Sequence, residues 1–247
     1  MRDRTLKVTL EYDGTDFAGW QVQPGERTVQ GVLEDAFSDL EGAPVAVAGA
    51  GRTDAGVHAL GQVASVESGL ALPVEAVAAA LNARLPDDLL VRWVEDAPPG
   101  FHARYSAVSR RYFYLIGLAP SPLWRRHRWL VTYDLDRDRM AEAARHLEGE
   151  RDFSSFAVAG SEPNHHRCRV SLVSLEWEAR HGGMIVFRME ADRFLRGMVR
   201  SIVGTLVEVG RGRTAPADIP GVLAASDRSA AGPTAPPWGL YLERITY

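Results

Sequence analysis

The chain has 247 residues, of which 46% are hydrophobic and 24% charged, so it can bury one large core or two smaller ones. No apolar run approaches the roughly 20 residues that a membrane-spanning helix needs. The single cysteine, Cys168, excludes an internal disulfide framework and is typical of a reducing cytoplasm. The formal net charge of -4 excludes a generic polycation.

The first hundred residues predict strands and helices in the order β-α-β-β-α-β. Apolar and polar residues alternate from Leu6 to Tyr12, the period-2 pattern of a half-buried strand. Thr28 is placed to cap a helix that Gly42 ends. The remaining elements are strands at 45–50, 61–66 and 88–96 and a helix that Pro73 opens, with a linker at 97–100.

A similar order recurs in the rest of the chain. A strand (110–117), a helix (136–149), a hairpin that turns at 181–183, a long helix (193–210) and a last strand (239–247) are predicted. The whole pattern predicts an α+β protein with two ferredoxin- or RRM-like halves, residues 1–100 and 101–247. Their antiparallel sheets are expected to join around a central cleft. This fold serves many functions, so it does not by itself indicate an activity.

A loop between two predicted strands has unusually small side chains. The segment AGAGRTDAGVHALGQVAS (48–65) contains one carboxylate, Asp54, with Arg52 two positions before it. Glycine permits unusual backbone angles and close approach of a ligand. The loop is therefore either a simple turn or a carboxylate presented to a bound substrate.

Arginines cluster in segments without acids, which predicts a localised site for a polyanion or, alternatively, a solvated basic face. No Asp or Glu occurs from Ala97 to Tyr133, which includes Arg104, Arg110, Arg111, Arg125, Arg126 and Arg128. The acid-free stretch 163–175 adds Arg167 and Arg169. On the predicted helix 193–210, the spacing of Arg193, Arg196 and Arg200 places them on one face. That face could bind phosphate, pair with a remote carboxylate or be solvated.

Other candidate sites are weaker. Tyr112 and Tyr114 share one face of the strand 110–117; we expect Tyr114 in the core, and Tyr112 either there or stacked on a nucleobase. His165, His166 and Cys168 lack a second ligand pair at zinc-binding spacing. The loop around Asp54 lacks the third glycine and the lysine of nucleotide-binding motifs.

Several segments together resemble the tRNA pseudouridine synthase A family over essentially the whole chain. The most specific is GRTDAGVHALGQVA (51–64). The resemblance continues in order through FHARYSAVSRRYFY (101–114), DFSSF (152–156), RFLRGMVRSIVG (193–204) and GLYLERI (239–245).

The resemblance implies a role for each matching residue. Asp54 would be the catalytic nucleophile, attacking C1′ or C6 of the nucleotide or assisting glycal formation. Arg200 would lie beside that carboxylate and favour its ionised form. Arg52 would contact RNA and hold the flipped nucleotide. Tyr112 would stack on the uracil and serve as general base, and Leu240 would pack under the base.

The resemblance also implies a substrate and partners: uridines 38 to 40 in the anticodon arm of tRNA, which must leave the helix to react. Family members resemble one another in forming homodimers with a basic cleft, and this redox-neutral isomerisation requires no metal or cofactor. A non-catalytic RNA-binding module of two RRM-like units is the alternative function, but it leaves the Asp54 loop without a purpose. A carboxylate hydrolase acting on a sugar would need a second paired acid.

Overall fold

The computed structural model describes residues 4–158, 166–179 and 182–247. Its strands are, in chain order, β1 (Arg4–Tyr12), β2 (Val47–Gly49), β3 (His58–Ser68), β4 (Leu89–Asp96), β5 (Ser109–Gly117), β6 (Trp129–Leu130), β7 (Gly149–Asp152), β8 (Arg167–Glu178), β9 (Met184–Ala191) and β10 (Leu240–Thr246). Its α-helices are α1 (Val29–Glu41), α2 (Val74–Asn82), α3 (Arg137–Arg145), α4 (Met198–Gly210) and α5 (Ile219–Ala225). The protein is a mixed α+β structure with mostly antiparallel strand pairs, as the sequence predicts.

The chain forms two compact units, one of Met1–Val108 with Tyr241–Tyr247 and one of Ser109–Leu240. The first unit therefore extends to Val108, whereas the sequence predicts that the first half ends at residue 100. The reason is that residues 101–108 are bound to the first unit. Ala103 is buried with Ala50 and Val63, and the Val108 amide donates to the Thr246 carbonyl at 2.8 Å. The predicted linker, residues 97–100, begins at Ala97, whose amide donates to the Thr5 carbonyl at 2.8 Å.

The first unit is built on β1, which pairs antiparallel with β3 on one side and β4 on the other. β2 adds to β3 antiparallel, and β10 pairs with β3 in parallel through Tyr241 opposite His58. The alternation predicted for β1 is confirmed, because every second residue from Leu6 to Tyr12 is buried. β2 and β3 flank the Asp54 loop, so the sheet fixes both ends of that loop.

Helix α1 begins and ends at the predicted residues. The Thr28 side chain accepts from the Gly31 amide, and Gly42 ends the helix with a φ of 67°. Pro73 immediately precedes α2. The helix ends in this unit are therefore encoded locally.

The second unit contains an antiparallel sheet in the order β5-β9-β8-β7, with β6 parallel to the end of β5. β8 and β9 form the predicted hairpin, whose turn residue His181 lies outside the described residues. The predicted inward residues of α3, Met140 and Ala144, are buried, as is Leu147 beyond its end. Helix α5 was not predicted.

Helix α4 begins at Met198, so the prediction of a helix from residue 193 is wrong. Gly197 precedes it with a φ of 68°, a left-handed conformation that interrupts a right-handed helix. Arg193 and Arg196 lie in the exposed segment before the helix, and only Arg200 is helical. The three arginines therefore do not share a helix face. Among the described residues, no helix is both long and apolar enough to cross a bilayer.

Candidate active site

The Asp54 loop comprises residues 50–57, between β2 and β3. Asp54 is half-buried, whereas Arg52 and Ala55 are exposed. The Val57 amide donates to the Asp54 carbonyl at 3.2 Å. Gly56 has a φ of 77°, which this tight turn requires and a larger residue rarely adopts. The glycine after Asp54 thus has a conformational role, and the loop is not an unconstrained linker.

A second segment, Phe17–Trp20, holds the Asp54 loop from one side through backbone hydrogen bonds. The Trp20 amide donates to the Thr53 carbonyl at 3.0 Å, and the Gly56 amide donates to the Phe17 carbonyl at 3.4 Å. Gly19 makes this approach possible, since a Cβ there would lie 2.8 Å from the Thr53 oxygen. Main-chain hydrogen bonds therefore fix Thr53 and Gly56, which lie on either side of Asp54 in the loop.

Buried polar side chains hold the same loop from the sheet. The Tyr12 hydroxyl and Thr53 Oγ1 are 2.9 Å apart, and Gln62 Nε2 donates to the Gly51 carbonyl at 2.9 Å. Burial raises the pKa of Tyr12 to about 12, partly offset by its hydrogen bonds to Thr53 and Gln62. Tyr12 therefore stays protonated and keeps its hydrogen bond at neutral pH.

The residues that clamp the Asp54 loop were missed in the sequence. The segment DGTDFAGW (13–20) carried the signal, because two glycines and a tryptophan follow a predicted strand. Gly14 packs so tightly that a Cβ would lie 2.0 Å from the Val57 oxygen. The Gly14 amide also donates to His58 Nδ1 at 3.1 Å.

Tyr112 lies on β5 in the second unit and is buried, with its ring edge-on to Phe194 at 4.9 Å between centroids. Tyr114, two residues further along, is fully buried, so the prediction that it belongs to the core is confirmed. Its hydroxyl donates to the Pro236 carbonyl at 2.8 Å. This bond connects β5 to the segment that leads into β10.

Arg200 and Leu240 are held by that same segment. Arg200 Nε donates to the Ala235 carbonyl at 2.8 Å, and the Ala235 amide donates back to the Arg200 carbonyl at 3.0 Å. Burial raises the pKa of Tyr114, and the nearby charge of Arg200 offsets part of this rise. Gly239 packs on the Tyr114 ring, where a Cβ would lie 2.5 Å from Cζ, and the buried Leu240 follows it.

The predicted site residues thus fall into two sets. Arg52 and Asp54 share one loop of the first unit. Arg200 and Leu240 are joined through residues 235–240 of the second unit, and Tyr112 lies on the strand whose Tyr114 supports them.

The predicted basic segments are only partly available to a polyanion. Arg104, Arg125 and Arg126 are exposed. Arg111 instead pairs with Glu190 at 2.6 Å, and Arg128 is buried and donates to the Ala119 carbonyl. The pair Arg167 and Arg169 contacts Glu150. A segment without acids in the sequence can still lie beside a strand that carries them, as Glu190 and Glu150 do here.

The weak zinc candidate gains no support from the described residues. His165 lies outside them, and His166 Nδ1 is 2.7 Å from the Ser154 hydroxyl. Cys168 is buried, and its pKa is raised to about 12 by desolvation, with the Asp192 charge acting in the same direction. A cysteine that binds a metal must be a thiolate, which this environment disfavours.

Comparison with known proteins assigns the chain to a family. The family model for tRNA pseudouridine synthase matches residues 9–106 and 143–247. The tRNA pseudouridine synthase A of Geobacter sulfurreducens is 44% identical over 246 residues, 99% of this chain and 100% of that protein. Those of Moorella thermoacetica and Geobacillus kaustophilus are each 46% identical, covering 98% of this chain and 99% and 94% of theirs. This chain is therefore an isomerase, and it belongs to the tRNA pseudouridine synthase family.

Among solved structures, a chain in the crystal structure of a Cbf5-Nop10-Gar1 complex is similar at a TM-score of 0.39 and 11% identity. The alignment covers 96% of this chain and 57% of that chain.

Proposed function

We propose that the protein converts uridine to pseudouridine at positions 38, 39 and 40 in the anticodon stem-loop of tRNA. The bond from ribose C1′ to uracil N1 breaks, and a bond from C1′ to C5 forms. C5 loses its proton and N1 gains one, so that the atoms and the oxidation state are conserved. This chemistry requires neither a metal nor a redox cofactor.

The observation that carries this proposal is the rigid, small-sided loop around Asp54. Main-chain bonds from Trp20 and to Phe17 fix the residues beside the carboxylate, which is itself half-buried. Ala55 and Gly56 are small residues that would not crowd a ribose and a base placed next to it. In this arrangement Asp54 acts on C1′ or C6 as a nucleophile, or assists glycal formation.

The other residues of the two sets act on the same nucleotide in this proposal. Arg200 would stabilise the ionised carboxylate of Asp54, and its two bonds with Ala235 fix its own position in the second unit. Tyr112 stacks on the uracil and moves the C5 proton, while Leu240 packs under the base. Flipping the nucleotide out of the stem costs a few kcal/mol. Arg52, which is exposed on the Asp54 loop, holds the nucleotide in the flipped position.

At the scale of the fold, we propose two ferredoxin-like halves around a cleft that binds the anticodon arm. The order β1, α1, β2, β3, α2, β4 and the antiparallel pairing of those strands support this for the first half. We further propose a homodimer in the cytoplasm, whose shared basic surface grips one tRNA. The single buried cysteine, Cys168, is compatible with a reducing compartment.

Tritium release tests the proposed reaction. Transcripts of tRNA in which every uridine is tritiated at C5, and which keep a uridine at only one of positions 38, 39 and 40, are incubated with the protein. Release of tritium from these transcripts, and none from a transcript with cytidine at all three positions, is the expected result. Binding without release would instead support the non-catalytic RNA-binding module.

A further inference from the structure

We propose that Tyr105 is a stacking platform for an unpaired base of the tRNA substrate. Its side chain is 76% exposed at the tip of a short loop, residues 102–106, here called the Tyr105 loop. This inference rests on the proposed function, because it takes tRNA as the ligand. A single exposed aromatic residue is ordinary, whereas the Tyr105 ring is presented by a loop that is closed and attached to the core.

The Tyr105 loop is closed by hydrogen bonds between its own residues. The Ser106 amide donates to the His102 carbonyl at 2.9 Å, and the His102 amide donates to Ser106 Oγ at 3.1 Å. The Arg104 amide donates to His102 Nδ1 at 3.1 Å. These bonds define the direction in which the loop tip projects.

The base of the loop is attached to the core of the first unit. Ala103 is fully buried; its amide donates to Ser65 Oγ at 3.1 Å, and its carbonyl accepts from the Tyr247 hydroxyl at 2.9 Å. Tyr105 is thus an exposed ring only two residues from a fixed point. A preorganised ring loses little conformational freedom when a ligand binds, which favours a recognition role.

The neighbours of the ring fit a nucleotide. The His102 ring lies 4.5 Å from the Tyr105 ring, and the Arg104 guanidinium lies 5.6 Å from it. Because His102 Nδ1 accepts a hydrogen bond, its neutral ring carries the proton on Nε2, a donor. An aromatic face beside a cation and a donor suits a base with its phosphate better than an apolar protein surface.

Binding measurements with matched variants test the platform. Affinity for an unmodified tRNA transcript is measured by fluorescence anisotropy at several salt concentrations for wild type, Tyr105→Ala, Tyr105→Phe and Trp93→Ala. Trp93 is the control, since it is 61% exposed on β4 of the same unit. We expect Tyr105→Ala to raise the Kd about tenfold, as for one lost base stack, with an unchanged salt slope. Tyr105→Phe and Trp93→Ala should bind like wild type.

The proposal would be overturned if Tyr105→Ala bound as tightly as wild type, or if it lost no more affinity than Trp93→Ala. Sedimentation velocity without RNA provides a further test. A changed oligomeric state in Tyr105→Ala would show that the ring packs against a second copy of the chain, and an unchanged state supports the proposal. Tritium release by wild type is scored separately, so failure of the reaction is distinguishable from failure of the platform.

Discussion

At the scale of single residues, the Asp54 loop is held by side chains from distant parts of the sequence. Tyr12 and Thr53 are 41 positions apart in the sequence, yet their hydroxyls share one buried hydrogen bond beneath the Asp54 loop. No periodicity in the sequence signals such a pair, because it forms only when β1 and the loop pack together. The role of Asp54 stays a prediction; it was made from glycine-rich surroundings that are local in sequence.

Removing the Tyr12 hydroxyl should weaken the support of the loop. Tyr12→Phe leaves Thr53 Oγ1 without this partner, and we expect a loss of about 1–3 kcal/mol in the free energy of unfolding. The raised pKa adds a pH dependence. The folded protein keeps a proton that the unfolded chain releases above about pH 10. Wild-type stability should therefore fall from about pH 10 to 12, and less steeply in Tyr12→Phe.

Urea denaturation at pH 8, 10 and 11 measures this difference. The buried Tyr114 and Tyr241 also have raised pKa values, so the variant should retain part of the alkaline loss. Identical alkaline slopes in the two proteins would mean that Tyr12 ionises no later in the folded state than in the unfolded one.

Tyr112→Phe separates stacking from proton transfer. The ring and its edge-on contact with Phe194 should be kept, so tRNA affinity should stay near the wild-type value. If the hydroxyl moves the C5 proton, single-turnover pseudouridine formation should fall about 10²-fold or more. Unchanged turnover would limit Tyr112 to a packing or stacking role.

At the scale of elements, segments that carry their own stop signals were predictable. Thr28 and Gly42 bound α1 as expected. The start of α4 was misplaced because apolar spacing continues through residues 193–197, and one glycine in a left-handed conformation overrides it. Contacts of high sequence separation, such as Trp20 with Thr53, could not be predicted from local patterns.

The contact of Phe17–Trp20 with the Asp54 loop can be tested with a pair of glycine variants. Gly19 and Gly25 both have positive φ, 102° and 77°, so alanine at either position strains the backbone. A Cβ at Gly19 would also press on Thr53, whereas one at Gly25 meets nothing within 4 Å. We expect each variant to lose roughly 1 kcal/mol or more of stability.

Only Gly19→Ala should lose substantial catalytic activity, by about tenfold or more, since small displacements of reacting groups are costly. Single-turnover rates at saturating tRNA, below the melting temperature of both variants, provide the measurement. Equal rates for the two variants would show that the contact of Phe17–Trp20 with the loop does not position Asp54.

At the scale of the whole molecule, a protein of net charge -4 must bind a polyanion through a local surface. We expect tRNA affinity to fall steeply with salt, because each neutralised phosphate releases counterions. Charge reversal of the exposed Arg125 or Arg126 should weaken binding to every tRNA alike and reduce the salt slope by about 1.

Arg84→Glu is the matched control for this charge reversal, since Arg84 is exposed but lies close in sequence to Asp87 and Asp88. Filter binding at a series of salt concentrations measures the slopes. An affinity that barely changes with salt, or equal losses in Arg125→Glu and Arg84→Glu, would contradict a local basic surface at Arg125.

Asp54 carries the chemistry in the proposed mechanism, and the variant Asp54→Asn tests this role. Asparagine is nearly isosteric, and it keeps the main-chain bonds from Trp20 and to Phe17 that hold the loop. The variant should therefore fold normally and bind tRNA at least as tightly as wild type, because a negative charge near the phosphates is removed. Its amide cannot replace the carboxylate, so the rate should fall by several orders of magnitude. Affinity and pseudouridine formation are measured on one purified sample; a folded variant that converts uridine at a near-normal rate would contradict the mechanism.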